Sequence, residues 1–133
     1  MEDTNILKKI QARKFYLKKI TADKIEKDPI DKTTKIKQEV KCSILENTKE
    51  NLSLKVNTKT FVDPEALFSI ELEYIMHFKL KEEITDEEVE NNINELISFL
   101  GQEISYVIAS ITKKMIGVHV ILPPGLEIDE LDK

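Results

Sequence analysis

The side chains that could do chemistry in this chain are few and scattered: His77, His119, Cys42 and a run of acids from Glu82 to Glu90. Zinc needs three or four convergent ligands, and neither histidine has a second His or Cys at ligand spacing. No metal centre is expected. Cys42 alternates with the apolar Val40 and Ile44 on one strand face, which reads as a small core residue rather than a nucleophile or redox sensor. The acids surround Thr85-x-x-Glu88, the pattern of a capping box with negative charge at the positive end of a helix dipole. General acid/base work is not needed to explain them. Gly101, Gly117 and Gly125 form no loop that could cradle phosphate. Neither an enzyme nor a cofactor is expected.

What remains is apolar surface. Phe68 to Leu80 reads FSIELEYIMHFKL, and a period of two puts Ile70, Leu72, Tyr74, Met76, Phe78 and Leu80 on one face of a strand. Glu71, Glu73, His77 and Lys79 fall on the other. Burying side chains of this size stabilises by about 1.5 to 3 kcal/mol each. The row must therefore be covered, by this chain or by another.

The elements that supply the cover follow from the same patterning. A first strand is expected from Phe15 to about Ile25, its mixed alternation and Lys18 and Lys19 suggesting a sheet edge. Residues 28–35, DPIDKTTK, read as a loop. Ile36 to Glu46 forms a second strand with Ile36, Val40, Cys42 and Ile44 on one face; Leu52 to Val62 forms a third with Leu52, Leu54, Val56 and Val62 on one face and Phe61 on the other. NTKEN (47–51) and Asp63-Pro64-Glu65 supply the turns. A helix then begins at the Thr85 capping box, and Val89, Ile93, Leu96, Ile97, Leu100, Ile104, Val107, Ile108 and Ile111 trace a stripe wide enough to lie across a sheet. Lys113 and Lys114 suit its C-terminal end, and residues 116–122 read as a short extended segment stopped by Pro123 and Pro124. The expected fold is α+β: a four-stranded antiparallel meander packed by one long amphipathic helix, as a single domain over residues 1–133 with flexible ends at 1–12 and 125–133.

Composition narrows the partners. The chain is 41% hydrophobic and 34% charged with a net charge of −5, a globular balance with no apolar run long enough to span a bilayer. Residues 1–61 hold 15 basic against 9 acidic side chains, and residues 62–133 hold 5 against 16. With a single arginine, Arg13, and lysines interleaved with acids, no nucleic-acid partner is expected. One cysteine builds no internal disulfide, and the N-terminal MEDTNILKKI lacks the apolar stretch of a secretory leader, so the expected compartment is cytoplasmic.

Pairing helix stripe with sheet face leaves Phe99 and Tyr106 off the stripe and Phe15, Leu17, Leu45 and Phe61 on the outer side of their strands. Exposed apolar patches beyond a few hundred Å² are rare on soluble monomers. Burial under loops, contacts between copies and contacts with foreign polypeptide all remain open for this set.

Several strings in order along the chain resemble the SecB family of protein-export chaperones. FYLKKITAD (15–23) is similar to that family's first-strand sequence, EVKCSILEN (39–47) to the Glu-Val-Lys opening of its second strand, and FSIEL (68–72) to a Phe-x-x-Glu-Val/Leu strand; Glu103 through Pro124 resembles its long helix leading into a proline-ended run. The resemblance implies an ATP-independent holdase, assembled as a dimer of dimers, that grips unfolded precursor polypeptides in apolar grooves. On that reading Phe61, Tyr74, Met76, Phe78 and Phe99 are the candidate client contacts, with Tyr74 and Phe78 the first to be claimed by the core. Asp23 and Glu71 match acids used to dock the motor SecA, a further candidate partner, whereas Lys19 stands where an acid is expected. The sequence stops soon after Pro124, so the family's second helix and its lid are expected to be missing. The rival is an oligomeric module with one dedicated partner, such as an antitoxin-specific chaperone, and no general export role.

Overall fold

The computed structural model describes residues 6–27, 35–122 and 130–132. Its strands are β1 (Ile10–Ile25), β2 (Lys35–Asn47), β3 (Asn51–Asp63), β4 (Leu67–Leu80) and a short β5 (Glu130–Asp132); helices α1 (Asp86–Asn91), α2 (Ile93–Ile97) and α3 (Leu100–Ile116) lie between β4 and β5. The strand order is β1-β4-β3-β2-β5. Hairpins join β2, β3 and β4 as an antiparallel meander, and β1 completes the four-stranded antiparallel sheet beside β4 rather than β2. Most of the loop expected at 28–35 lies outside the described residues.

One face of this sheet is largely apolar, interrupted on β3 by the buried Thr58 and Thr60. Phe68, Ile70, Leu72, Tyr74, Met76 and Phe78 of β4 and Leu52, Leu54 and Val56 of β3 are all buried, as the period-two pattern requires. Val89, Ile93, Leu96, Ile97, Leu100, Ile104 and Ile108 bury the helical stripe against them. The capping box forms as expected: the Thr85 hydroxyl accepts from Glu88 N at 3.1 Å, and the Glu88 carboxylate accepts from Thr85 N at 3.0 Å.

The helix is broken where one continuous element was expected. Asn92 leaves helical geometry (φ −126°, ψ 20°), and its side-chain amide donates to the Glu88 carbonyl at 2.8 Å. Short polar side chains compete in this way for backbone partners. A second irregularity falls at Ser98, whose hydroxyl donates to the Glu95 carbonyl. At the far end α3 stops at Gly117, which has φ 84° and donates its N–H to the Lys113 carbonyl at 3.1 Å, a left-handed position suited to glycine.

Bulges correct the facing of β1 and β2. Phe15 and Leu17, expected on the outer side, pair with Met76 and Tyr74 and so lie on the helix-covered face; a register shift between Leu17 and Lys19 then brings Ile20 and Ala22 opposite Leu72 and Ile70. The extra residue inverts the alternation halfway along, which is why that stretch reads as mixed in the sequence. Leu45 falls in a similar shift of β2. Ile6 is buried, β1 starts at Ile10, and Lys9 pairs with Glu88 at 2.7 Å. Of the tail, Glu130–Asp132 pairs with β2.

Candidate functional site

The candidate chemical groups are held apart. His77 lies on the outer face of β4, its Nδ1 2.8 Å from the Ser53 hydroxyl and its ring beside Tyr16. His119 lies beyond α3, with Nδ1 3.2 Å from the Ala109 carbonyl. Among the described residues no three His, Cys, Asp or Glu side chains come together as a metal site. Cys42 is buried, and burial pushes its thiol up to about 12, so no thiolate is on offer near neutral pH.

The outer sheet face is charged in both signs. Asp23 is in register with Ser69, and Glu71 with Thr21. These two acids are therefore diagonal neighbours on one surface. Lysines interleave with them: Lys59 is in register with Glu71, and Lys19 with Glu73. A shallow depression of about 320 Å³ is lined by Lys19, Lys41, Lys59, Glu39, Glu71 and Glu73. Its mixture of charges offers no field of a single sign.

Of the five candidate client contacts, Tyr74, Met76 and Phe78 belong to the core. The reason is geometric, because their strand face is the one on which the helices dock. Tyr74 places its ring against Phe15 with centroids 6.1 Å apart and donates its hydroxyl to the Glu103 carboxylate at 3.1 Å. Burial first, then the nearby Glu103 charge, raises its pKa. Phe99 is half-buried. It packs on Phe15 and Phe78 at 5.7 and 6.3 Å, and the Arg13 guanidinium sits 4.2 Å from its ring centre. Phe61 is half-buried on the outer face, with the Lys59 ammonium 5.2 Å from its ring centre.

The open apolar surface lies elsewhere. After Gly117 the chain folds back along α3: the Thr112 hydroxyl accepts from Val120 N at 2.9 Å, and the Ser105 hydroxyl donates to the Leu122 carbonyl at 3.0 Å. Residues 117–122 thus form an irregular strap instead of the extended strand expected for 116–122. Tyr106 of α3 is 72% exposed, and Val118 and Ile121 of the strap are 55% and 73% exposed. Ile20 on β1 and Ile36 and Leu45 on β2 are also about half exposed. The sequence singles out Tyr106 by its place off the helical stripe and Leu45 by its strand facing. It gives no signal for Val118 or Ile121, whose exposure depends on how the strap turns back.

No protein-family model matches the chain, and no curated protein matches it. Among solved structures it is similar to a Mycobacterium tuberculosis SecB-like chaperone in complex with a ChAD peptide from the HigA1 antitoxin, with TM-score 0.68 and 16% identity over 92% of this chain and 91% of that one. A protein of unknown function from Streptococcus agalactiae aligns with TM-score 0.50 and 15% identity over 84% of this chain and 95% of that one. The fold is SecB-like. No helix among the described residues is long and apolar enough to cross a membrane.

The two buried acids of the core set a pH limit on the fold. Cys42 is raised from 9.0 to about 12, and Tyr74 is raised from 10.0. The unfolded chain therefore loses these protons at lower pH than the folded one, so stability holds up to about pH 9 and falls as pH rises from there toward 12. Urea midpoints should decline across that window, and Cys42→Ala should flatten the onset of the decline. A flat profile in the parent chain contradicts the assignment.

Proposed function

We propose that this chain is a SecB-like chaperone of the holdase type, which binds extended apolar stretches of polypeptide and needs no nucleotide. The observation that carries the reading is the exposure of Tyr106, Val118 and Ile121 in a fold whose core is already filled by other residues. Rings and branched chains left in water on α3 and on the strap that folds back along it suit transient burial of a client's apolar side chains. Tyrosine adds a hydroxyl that tolerates a wet boundary. Phe99 and Phe61, both half-buried, serve as secondary contacts, Phe61 from the outer sheet face.

A restricted client set is favoured over general export. The similar Mycobacterium tuberculosis chaperone was solved with an antitoxin peptide, which supports service to one dedicated partner. Asp23 and Glu71 share a face with Lys19 and Lys59, and this interleaving weakens the case for a SecA dock that reads acids. The working location is the cytoplasm, where unfolded clients are met.

At equimolar ratio the chain should suppress light scattering from a reduced, unfolding substrate protein. Tyr106→Ser should weaken that suppression by roughly tenfold, equivalent to about 1.4 kcal/mol, with the thermal midpoint unchanged because the side chain is exposed. Absence of suppression by the parent chain overturns the general holdase reading and leaves the dedicated-partner one.

Assembly is part of the same proposal. Among the described residues β1 pairs only with β4, and an open strand edge invites a second copy. Size-exclusion chromatography with mass detection should report a tetramer, a dimer of dimers; a single-copy species at micromolar concentration contradicts it.

A further inference from the structure

Among the described residues the outer edge of β2 carries a strand of three residues, Glu130–Asp132. Among the described residues β5 pairs parallel with it at three positions, Lys41 with Glu130, Cys42 with Leu131 and Ser43 with Asp132, whereas the opposite edge of β2 pairs with β3 along nearly the whole strand. Parallel pairing is slightly weaker per residue than antiparallel pairing, and strands usually run about five to six residues. Among the described residues β5 makes the shortest pairing in the sheet. On either side of it β2 presents an exposed apolar side chain, Ile36 at 45% and Leu45 at 52%.

We infer that the outer edge of β2 is a strand-acceptor site, occupied within the chain by its own Glu130–Asp132 and taken in trans by an extended client segment that alternates acidic with apolar residues. The inference rests on the client-binding reading above and specifies how part of the client is held. A longer incoming strand would pair along more of the edge than β5 does and would reach both Ile36 and Leu45. Backbone pairing of this kind supplies affinity, and the side chains alongside supply selectivity. The acidic preference follows from the edge itself: β2 opens as KIKQEVK, with Lys35, Lys37 and Lys41 against Glu39, Lys37 already pairing with Asp63 at 2.9 Å. It follows also from the present occupant, which reads Glu-Leu-Asp in register with a lysine, the buried Cys42 and a serine. The tail then acts as a competitor held at high effective concentration, releasing the edge only to segments that pair better.

The test uses the full chain and a fluorescein-labelled synthetic peptide copying residues 126–132, LEIDELD. If the tail holds the edge about nine-tenths of the time, Leu131→Pro, which places an N–H-less residue inside β5, should raise peptide affinity about tenfold. In the free variant, amide exchange at residues 41–43 should speed up, and added peptide should restore the protection. Leu131→Asp, which disturbs the tail without proline, should shift affinity in the same direction. A peptide with lysine in place of its acids should bind more weakly. Equal affinity for parent and variants, or binding that leaves exchange at 41–43 unchanged, overturns the inference. If light scattering is still suppressed in that case, the holdase reading survives without the β2 edge. If the exchange shifts occur but no variant suppresses scattering, the edge is an acceptor and the holdase reading fails instead.

Discussion

Burial of one row of side chains on β4 is the constraint from which the rest of this molecule follows. Phe68, Ile70, Leu72, Tyr74, Met76 and Phe78 occupy a strand flanked by β1 and β3, so both neighbours must offer apolar faces of their own and a helical layer must close the third side. At about 1.5 to 3 kcal/mol for each buried side chain, this row outweighs any surface ion pair in the structure, which is worth at most about 1 kcal/mol. The broken helical path is tolerated because α1, α2 and α3 all keep their apolar residues toward the row. Helix continuity matters less than facing. The bond from Tyr74 to Glu103 satisfies the one hydroxyl the row carries, as a buried donor requires.

Because that core is complete within one chain, the apolar groups still in water acquire significance. They fall on the outward side of α3, on the strap that folds back along it and at points on the two strands that flank β4 and β3. The charged outer sheet face is a different kind of surface, with lysines and acids alternating at cross-strand distance. Two faces of one sheet thus divide the labour. One is sealed by helices whose backs carry greasy side chains, and the other stays wet.

Legibility in the sequence tracked how strictly each element keeps its period. β4 alternates without interruption, and its facing, its burial and its need for a helical cover were all readable from FSIELEYIMHFKL. The capping box at Thr85 was readable for the same reason, since its two bonds are local. β1 was not, because the shift between Leu17 and Lys19 exchanges the two faces in mid-strand, and a one-residue slip moves every later side chain to the opposite side. That slip is why Phe15 and Leu17 read as surface. Nor was the pairing of β1 with β4 evident, since sequential neighbours usually pair and the order here depends on tertiary packing. Among the candidate contacts, assigning Tyr74, Met76 and Phe78 to a binding groove conflicted with the use of the same face as core. The real surplus at Val118 and Ile121 is set by the hydrogen bonds that Val120 N–H donates to Thr112 and Ser105 donates to the Leu122 carbonyl, which no periodicity announces.

The central claim is that the helical back and its strap grip foreign chain while the core beneath stays closed. Residue-resolved NMR of the full chain, titrated with a permanently unfolded, reduced and alkylated protein, tests it most directly. The expected result is shifts centred on Tyr106, Val118, Ile121 and their neighbours, with smaller ones at Phe61, Phe99 and the β2 edge, and with Tyr74, Met76 and Phe78 unmoved. Shifts centred on Glu71 and Glu73 of the outer sheet face, or no shifts at all at saturating client, would contradict it.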